Sequence, residues 1–219
     1  MAPRSKVWTI VVGGGTGTRF GRPKQYEALG DERILDRSRR IAAVVSERVI
    51  LVVPAEDATR EGGVAGGATR SASVRAGLAH VPDDVEVVCV HDAARPFATA
   101  ELYRRVIDAV FAGADAAVPG VPVADTIKIV AEGVVAATPD RASLVAVQTP
   151  QAFRRAVLVA AHASASDATD DAALVEAVGG EVRVVAGEPD NRKITVPEDL
   201  EWARRLVADQ TIADQAVSR

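Results

Sequence analysis

The 219-residue chain has a single cysteine, Cys89. That excludes an intrachain disulfide and a zinc site built on thiolates. Aromatic residues are scarce at 4%, so a core must be made of Val, Ala, Leu and Ile, the mixture of a buried parallel sheet under Ala-rich helices. No apolar run approaches the length that crosses a bilayer. Positive charge is not in excess either: 26 Lys and Arg against 30 Asp and Glu give a formal charge of −4 and a pI near 5.5. Such a balance lacks the positive field that draws proteins to nucleic acid or anionic lipid, so neither is expected as a partner. The three histidines show no ligand spacing. The opening MAPRSK is basic, but the apolar run after it is short and ends in glycine, unlike a secretory signal; a cytoplasmic location is expected.

What is present is an alternation of strand and helix patterns. Residues 7–12, 48–53 and 85–90 are apolar runs of strand length, and ILDRSRRIAAVV between the first two has helical spacing. Further helices are expected at about 71–81, 99–112, 154–163 and 170–178. A short strand, EVRVVAG, follows, then a closing helix that starts at TVPEDLEWARRL, with Pro197, Glu198 and Asp199 in its first turn. Residues 125–150 alternate β-branched and polar residues about Glu132-Gly133, as in a hairpin arm. The pattern predicts one α/β domain over 1–210, with a polar tail at 211–219. Its sheet is expected to be Rossmann-like and mostly parallel, with helices on both faces and a protruding β-hairpin arm. In such sheets ligands sit beyond the carboxyl ends of the strands.

Two loops fall at those ends. After the first strand comes VVGGGTGTRFGRPKQY, in which Gly13, Gly14, Gly15 and Gly17 let backbone N–H groups approach an anion, with Arg19 and Lys24 close behind. The Gly-Lys-Ser/Thr ending of a Walker A loop is missing, and Thr18 stands where a dinucleotide fingerprint needs glycine. Two cations beside a backbone nest suit a triphosphate, although a tight turn with solvated cations has the same composition. HDAARP, 91–96, ends the third strand with Asp92, an oxygen ligand suited to magnesium, and Arg95, suited to a substrate phosphate. A structural Asp–Arg pair is the plainer reading, and His91 reads as a structural histidine. GGATRSAS places Gly67, Arg70 and Ser73 at a helix start, where they suit either a nucleoside or an ordinary cap. Lys193, in DNRKIT, stands alone.

In this order the segments GGGTGTRF, PKQY, GGATRSAS, HDAARP, DTIK, TPDR, QTPQAF, TDDAALVE and DNRKIT resemble the cytidylyltransferases that make 4-diphosphocytidyl-2-C-methylerythritol in the non-mevalonate isoprenoid pathway. The likeness runs from about residue 7 to 205. It implies a nucleotidyltransferase fold, CTP and a polyol phosphate as substrates, and Mg2+ as cofactor. By the same resemblance, Gly13–Gly15 and Gly17 wrap the CTP phosphates, braced by Arg19 and Lys24, while Gly67, Arg70 and Ser73 hold cytosine and ribose. Asp92 lies beside magnesium and substrate, Arg95 and Thr149 line the acceptor pocket, and Lys193 reaches the reacting phosphate. Thr169 and Asp170 belong to a further motif near the site. A homodimer is implied, in which the 125–150 arm brings Thr126 and Arg141 to the partner's site. The chain departs from the family's usual pattern at Val12-Gly13-Gly14 and at Ala68, where an acidic residue is common. The rivals are a cytidylyltransferase for ribitol 5-phosphate or another polyol phosphate, a sugar-1-phosphate or molybdopterin nucleotidyltransferase, a nucleotide sensor without activity and a dehydrogenase-type dinucleotide binder.

Overall fold

The computed structural model describes residues 6–15, 20–164 and 170–217, with side chains to 210. In chain order the strands are β1 (Val7–Val12), β2 (Ala28–Leu29), β3 (Glu32–Arg33), β4 (Arg48–Val53), β5 (Val64–Ala65) and β6 (Val87–Asp92). Then come β7 (Ala116–Pro122), β8 (Ile129–Ala131), β9 (Val134–Ala137), β10 (Val145–Val147), β11 (Gln151–Arg154) and β12 (Val182–Ala186). The helices are α1 (Ile34–Val45), α2 (Ala58–Glu61), α3 (Arg70–Leu78), α4 (Ala100–Phe111), α5 (Arg155–Ser164), α6 (Asp171–Ala177) and α7 (Pro197–Val217).

Eight strands form one sheet in the order β10-β7-β11-β6-β1-β4-β5, with β12 on the other side of β7. Pairing is parallel at β1/β4, β1/β6, β4/β5 and β7/β12, and antiparallel wherever β10 or β11 takes part. Side-chain alternation explains why the central strands read as unbroken apolar runs. Val7, Val11, Leu51, Val53, Val87 and Cys89 face α1 and α4, where they meet Leu35, Ala42, Leu102 and Val106. Ile10, Ile50, Val52, Val88 and Val90 face α3, α5 and α6, where they meet Val74, Leu78, Leu158 and Leu174. Both faces are therefore dry, and every strand position but the occasional polar one is apolar. A third cluster, built on Phe97, Ile194, Leu200 and Ala203, docks the start of α7.

The expected mostly parallel sheet with helices on both faces is present; its details differ from the sequence reading in four places. The third strand runs two residues further, through His91 and Asp92, which pair with Val11 and Val12. Val85 instead lies in a turn, donating its N–H to the carbonyl of Pro82 (3.2 Å). Within 125–150 only β8 and β9 form a hairpin, turning through Glu132 and Gly133 at φ 50° and 81°. Val145–Val147 rejoins the main sheet beside β7, and the unforeseen β11 continues along the same edge as far as Ala116. Helix α7 extends to Val217, into the segment read as a polar tail.

Candidate active site

Register brings the two loops together. Val12 pairs with Asp92, so the glycines leaving β1 and the turn leaving β6 start side by side. Gly13 N–H donates to the Val52 carbonyl (2.7 Å), Ala93 N–H to that of Val12 (2.9 Å) and Gly66 N–H to that of Val53 (2.8 Å). Three strand ends thus share one rim. Above it, a cavity of about 430 Å³ is lined by Gly13, Gly14, Gly15, Lys24, Gly67, Arg70, Ser73, Asp92 and Lys193. A second cavity, about 220 Å³, is lined by Arg70, Asp92, Arg95, Gln148, Thr149, Gln151, Asp170 and Lys193. Arg70, Asp92 and Lys193 belong to both and mark where the cavities meet.

Those three residues are joined. Arg70 Nε donates to Asp92 Oδ1 (3.1 Å) and Lys193 Nζ to Asp92 Oδ2 (2.6 Å). Asp92 is 8% exposed. Burial pushes its carboxyl up, but Arg70 and Lys193 outweigh that and hold it well below the usual carboxylate range. Arg70 is likewise kept charged: burial works against the cation, and Asp92 and Asp171 more than offset it. Arg70 is therefore no exposed cap residue. The cap of α3 is Thr69, whose hydroxyl accepts from Ala72 N–H (3.1 Å).

The glycines divide by role. A Cβ on Gly15 would meet no described atom within 4 Å, so this position opens to the cavity. A Cβ on Gly67 would lie 2.5 Å from the Ala72 Cβ, which makes glycine there a packing requirement of α3. Gly13 is tight as well, 3.3 Å from Leu35. Ser73 is buried; its hydroxyl accepts from Gly67 N–H (3.2 Å) and donates to the Thr69 carbonyl (3.0 Å), tying α3 to the loop before it.

On the second cavity, Arg95 spans two backbone segments, donating to the Asn191 carbonyl (2.9 Å) and to that of Val147 (3.3 Å). His91 lies within 3.2 Å of the Arg95 carbonyl through Nε2 and 3.1 Å of the Thr149 hydroxyl through Nδ1. A carbonyl only accepts, so Nε2 carries the proton and Nδ1 accepts from Thr149. Burial pushes the His91 imidazolium down to about 4, keeping the ring neutral. The Thr149 oxygen in turn accepts from Asp92 N–H (3.0 Å). His91 is structural, as expected, and it ties the Arg95 backbone to the Thr149 hydroxyl.

Of the residues singled out from sequence, Gly13, Gly14, Gly15, Lys24, Gly67, Arg70, Ser73, Asp92, Arg95, Thr149 and Lys193 come together on the two cavities. Thr126 and Arg141 do not: both are exposed, line neither cavity, and Arg141 donates to the Ala124 carbonyl (3.0 Å). Gly17, Arg19 and Thr169 lie outside the described residues. Sequence reasoning missed Asn191, fully buried, whose amide donates to the Thr149 carbonyl (2.9 Å). It also missed His162 and Asp171, which bond to each other (2.9 Å). A buried polar residue inside a helical pattern gives no signal in one sequence. Among the described residues no group of three His, Cys, Asp or Glu is placed to hold a metal ion. Among the described residues Asp92 is also the single carboxylate on the larger cavity. The donor set therefore suits a hard cation that is bound mainly by ligand phosphates, and does not suit an all-protein cage.

The family model for 2-C-methyl-D-erythritol 4-phosphate cytidylyltransferase, IspD, matches residues 7–209. A Rhodococcus opacus protein of that name is 44% identical over 220 residues, covering 94% of this chain and 97% of its own length. A bifunctional IspD/IspF enzyme of Nitratidesulfovibrio vulgaris is 43% identical over 223 residues; the match covers 89% of this chain but 56% of the relative, so the chain spans about half the length of such two-part proteins. The crystal structure of 2-C-methyl-D-erythritol 4-phosphate cytidylyltransferase from Thermus thermophilus superposes with a TM-score of 0.80 at 34% identity, covering 92% of this chain and 98% of that one. With the sheet, the strand-end cavities and these likenesses in agreement, the chain belongs to the IspD family of cytidylyltransferases.

Proposed function

We propose that the chain transfers CMP from CTP to 2-C-methyl-D-erythritol 4-phosphate, giving 4-diphosphocytidyl-2-C-methyl-D-erythritol and pyrophosphate in isoprenoid precursor synthesis, in the cytoplasm. The observation that carries this reading is the meeting of two cavities at Arg70, Asp92 and Lys193. The larger takes the nucleotide, with Gly13, Gly14, Gly15, Gly17, Arg19 and Lys24 on its phosphates and Gly67, Arg70 and Ser73 toward the nucleoside. The smaller takes the acceptor against Arg95 and Thr149, and Thr169 is assigned to acceptor binding by the family resemblance alone.

An acceptor phosphate oxygen attacks the α-phosphorus as the bond from that phosphorus to the bridging oxygen breaks, and pyrophosphate leaves with the electron pair. The attacking group is already an anion at neutral pH, so no general base is needed, and the buried neutral His91 is not asked to be one. The obstacle is the repulsion of two anions, and fixed cations at the junction lower it. Lys24 serves the nucleotide; Lys193, exchanging Asp92 for phosphate, serves the reacting centre. Magnesium, bound by the CTP phosphates with Asp92 as its one carboxylate, would neutralise charge on the departing pyrophosphate.

The hairpin supports the assignment of a homodimer. Ile129, Val130, Val134 and Val135 are 54–69% exposed, and β8 and β9 pair only with each other. A partner copy would cover these aliphatic side chains, and Thr126 and Arg141 would then complete its acceptor pocket. Pyrophosphate release from CTP and Mg2+ tests the reaction. Release that depends on methylerythritol phosphate supports it; a preference for ribitol 5-phosphate overturns the acceptor, and no acceptor-dependent release overturns the activity.

A further inference from the structure

Arg70 is also held from a side that neither cavity reaches. Its Nη1 donates to Asp171 Oδ2 (2.7 Å), opposite the Nε contact with Asp92. Asp171 has no exposed surface and lines neither cavity. Its second oxygen lies 2.9 Å from His162 Nε2, and since a carboxylate only accepts, that nitrogen carries the proton. His162, in the last turn of α5, is buried. A chain of contacts thus runs from the cavity junction into the protein through α3, α6 and α5.

We propose that Asp171 and His162 are positioning residues that anchor the Arg70 guanidinium, so that Lys193 is the cation that leaves Asp92 when the acceptor phosphate arrives. The inference rests on the reaction proposed above. Asp92 offers one oxygen to each cation, and an incoming phosphate competes for both. Among the described residues the Lys193 ammonium bonds to Asp92 alone, and its side chain is 39% exposed; Arg70 has a carboxylate on either side and is 23% exposed. The phosphate therefore meets one donor already in place and one free to move to it. Arginine suits the fixed role because its planar fork can engage two carboxylates at once. Without Asp171 the guanidinium would follow the phosphate or Asp92, and the attacking oxygen would lose its alignment.

Asp171→Asn keeps the shape and the acceptor for His162 but turns an N–H toward Arg70. With CTP saturating, kcat/KM for the acceptor is expected to fall about tenfold or more. Combined with Arg70→Ala, Asp171→Asn should add no further loss; equal losses in both backgrounds would overturn the proposal, since a structural defect is additive. His162→Leu should reproduce the acceptor-side loss and His162→Gln, whose amide reaches the same carboxylate oxygen, should recover most of it; equal impairment of the two counts against the idea. If Asp171→Asn does not fold, the His162 pair decides alone. Nitrogen NMR of Arg70 reads the anchoring without turnover: slow guanidinium rotation in wild type and fast rotation in Asp171→Asn support it, and equal rotation overturns it. An inactive wild type with that NMR difference would count against the reaction and not the anchor.

Discussion

The junction of Arg70, Asp92 and Lys193 and the hairpin of residues 129–137 both carry residues expected from sequence to serve one reaction, yet they are built in opposite ways. At the junction, side chains about a hundred positions apart in the chain are tied to one another inside the protein: Lys193 to Asp92, Arg70 to Asp171. On the hairpin every residue of both strands is exposed, and among the described residues the two-stranded sheet pairs with no other strand. A two-stranded ribbon gains little stability by itself in water. The junction is complete within one chain, whereas the hairpin makes structural sense as half of something. Under the proposed function the first is where charge is managed and the second is where a partner is met.

That contrast can be broken most forcefully at the junction. Lys193→Ala and Lys24→Ala should each lower kcat by about a hundredfold or more, because each removes a cation aimed at phosphate, while melting temperature is little changed. Near-normal turnover in both variants would remove the basis for the assignment.

The hairpin offers the complementary test. Val130→Asp with Val134→Asp replaces exposed aliphatic side chains and should leave single-chain stability within about 0.5 kcal/mol. Light scattering should show a dimer in wild type and a monomer in the variant, with CTP binding retained and acceptor turnover reduced. A wild-type monomer would make the two regions independent.

A smaller effect sharpens the buried side of the comparison. His91 takes up a proton near pH 6.5 when unfolded and resists until about 4 when folded. Its folded value is depressed, so this contribution is complete above pH 6.5 and is lost as the pH falls toward 4, by about 3 kcal/mol in all. Urea titrations at pH 7 and pH 5 should show the loss in wild type and a flatter dependence in His91→Gln. The same slope in both would assign the acid sensitivity elsewhere.

The smallest test separates two glycines. Gly67→Ala should destabilise by about 1–3 kcal/mol, since its Cβ would press on Ala72. Gly15→Ala, with open space around the new methyl, should leave the melting temperature unchanged and weaken CTP binding. The reverse pattern would put the phosphate cradle elsewhere.

Much of the fold could be read from the sequence because burial on both faces writes itself as unbroken apolar runs: β1, β4 and α1 have the bounds that VWTIVV, RVILVV and ILDRSRRIAAVV suggest. β11 could not, since Gln151–Arg154 is short, polar at both ends and follows a segment with hairpin alternation. The cavity lining was legible where residue type implies chemistry, as in Lys24, Asp92 and Arg95, whereas Lys193 stands alone in the sequence and is placed by the family resemblance. The site was illegible where function depends on a contact across the chain. Arg70 looks like a helix-start arginine until Asp92 and Asp171 are placed on either side of it, and His162 and Asn191 look like ordinary helix and loop residues until their burial is known.

The position of β11 has a consequence for the growing polypeptide. β6 and β7 do not pair with each other; β11 lies between them, pairing antiparallel with both. Until residues 151–154 have left the ribosome, β6, apolar from Val87 to Val90, has one unpaired edge, because the strands that precede it supply only its β1 side. Chains stalled anywhere between about residue 92 and 150 would present that edge to other chains, the situation in which strand edges associate wrongly. The four residues of β11 thus set the point in synthesis at which β6 gains its second neighbour.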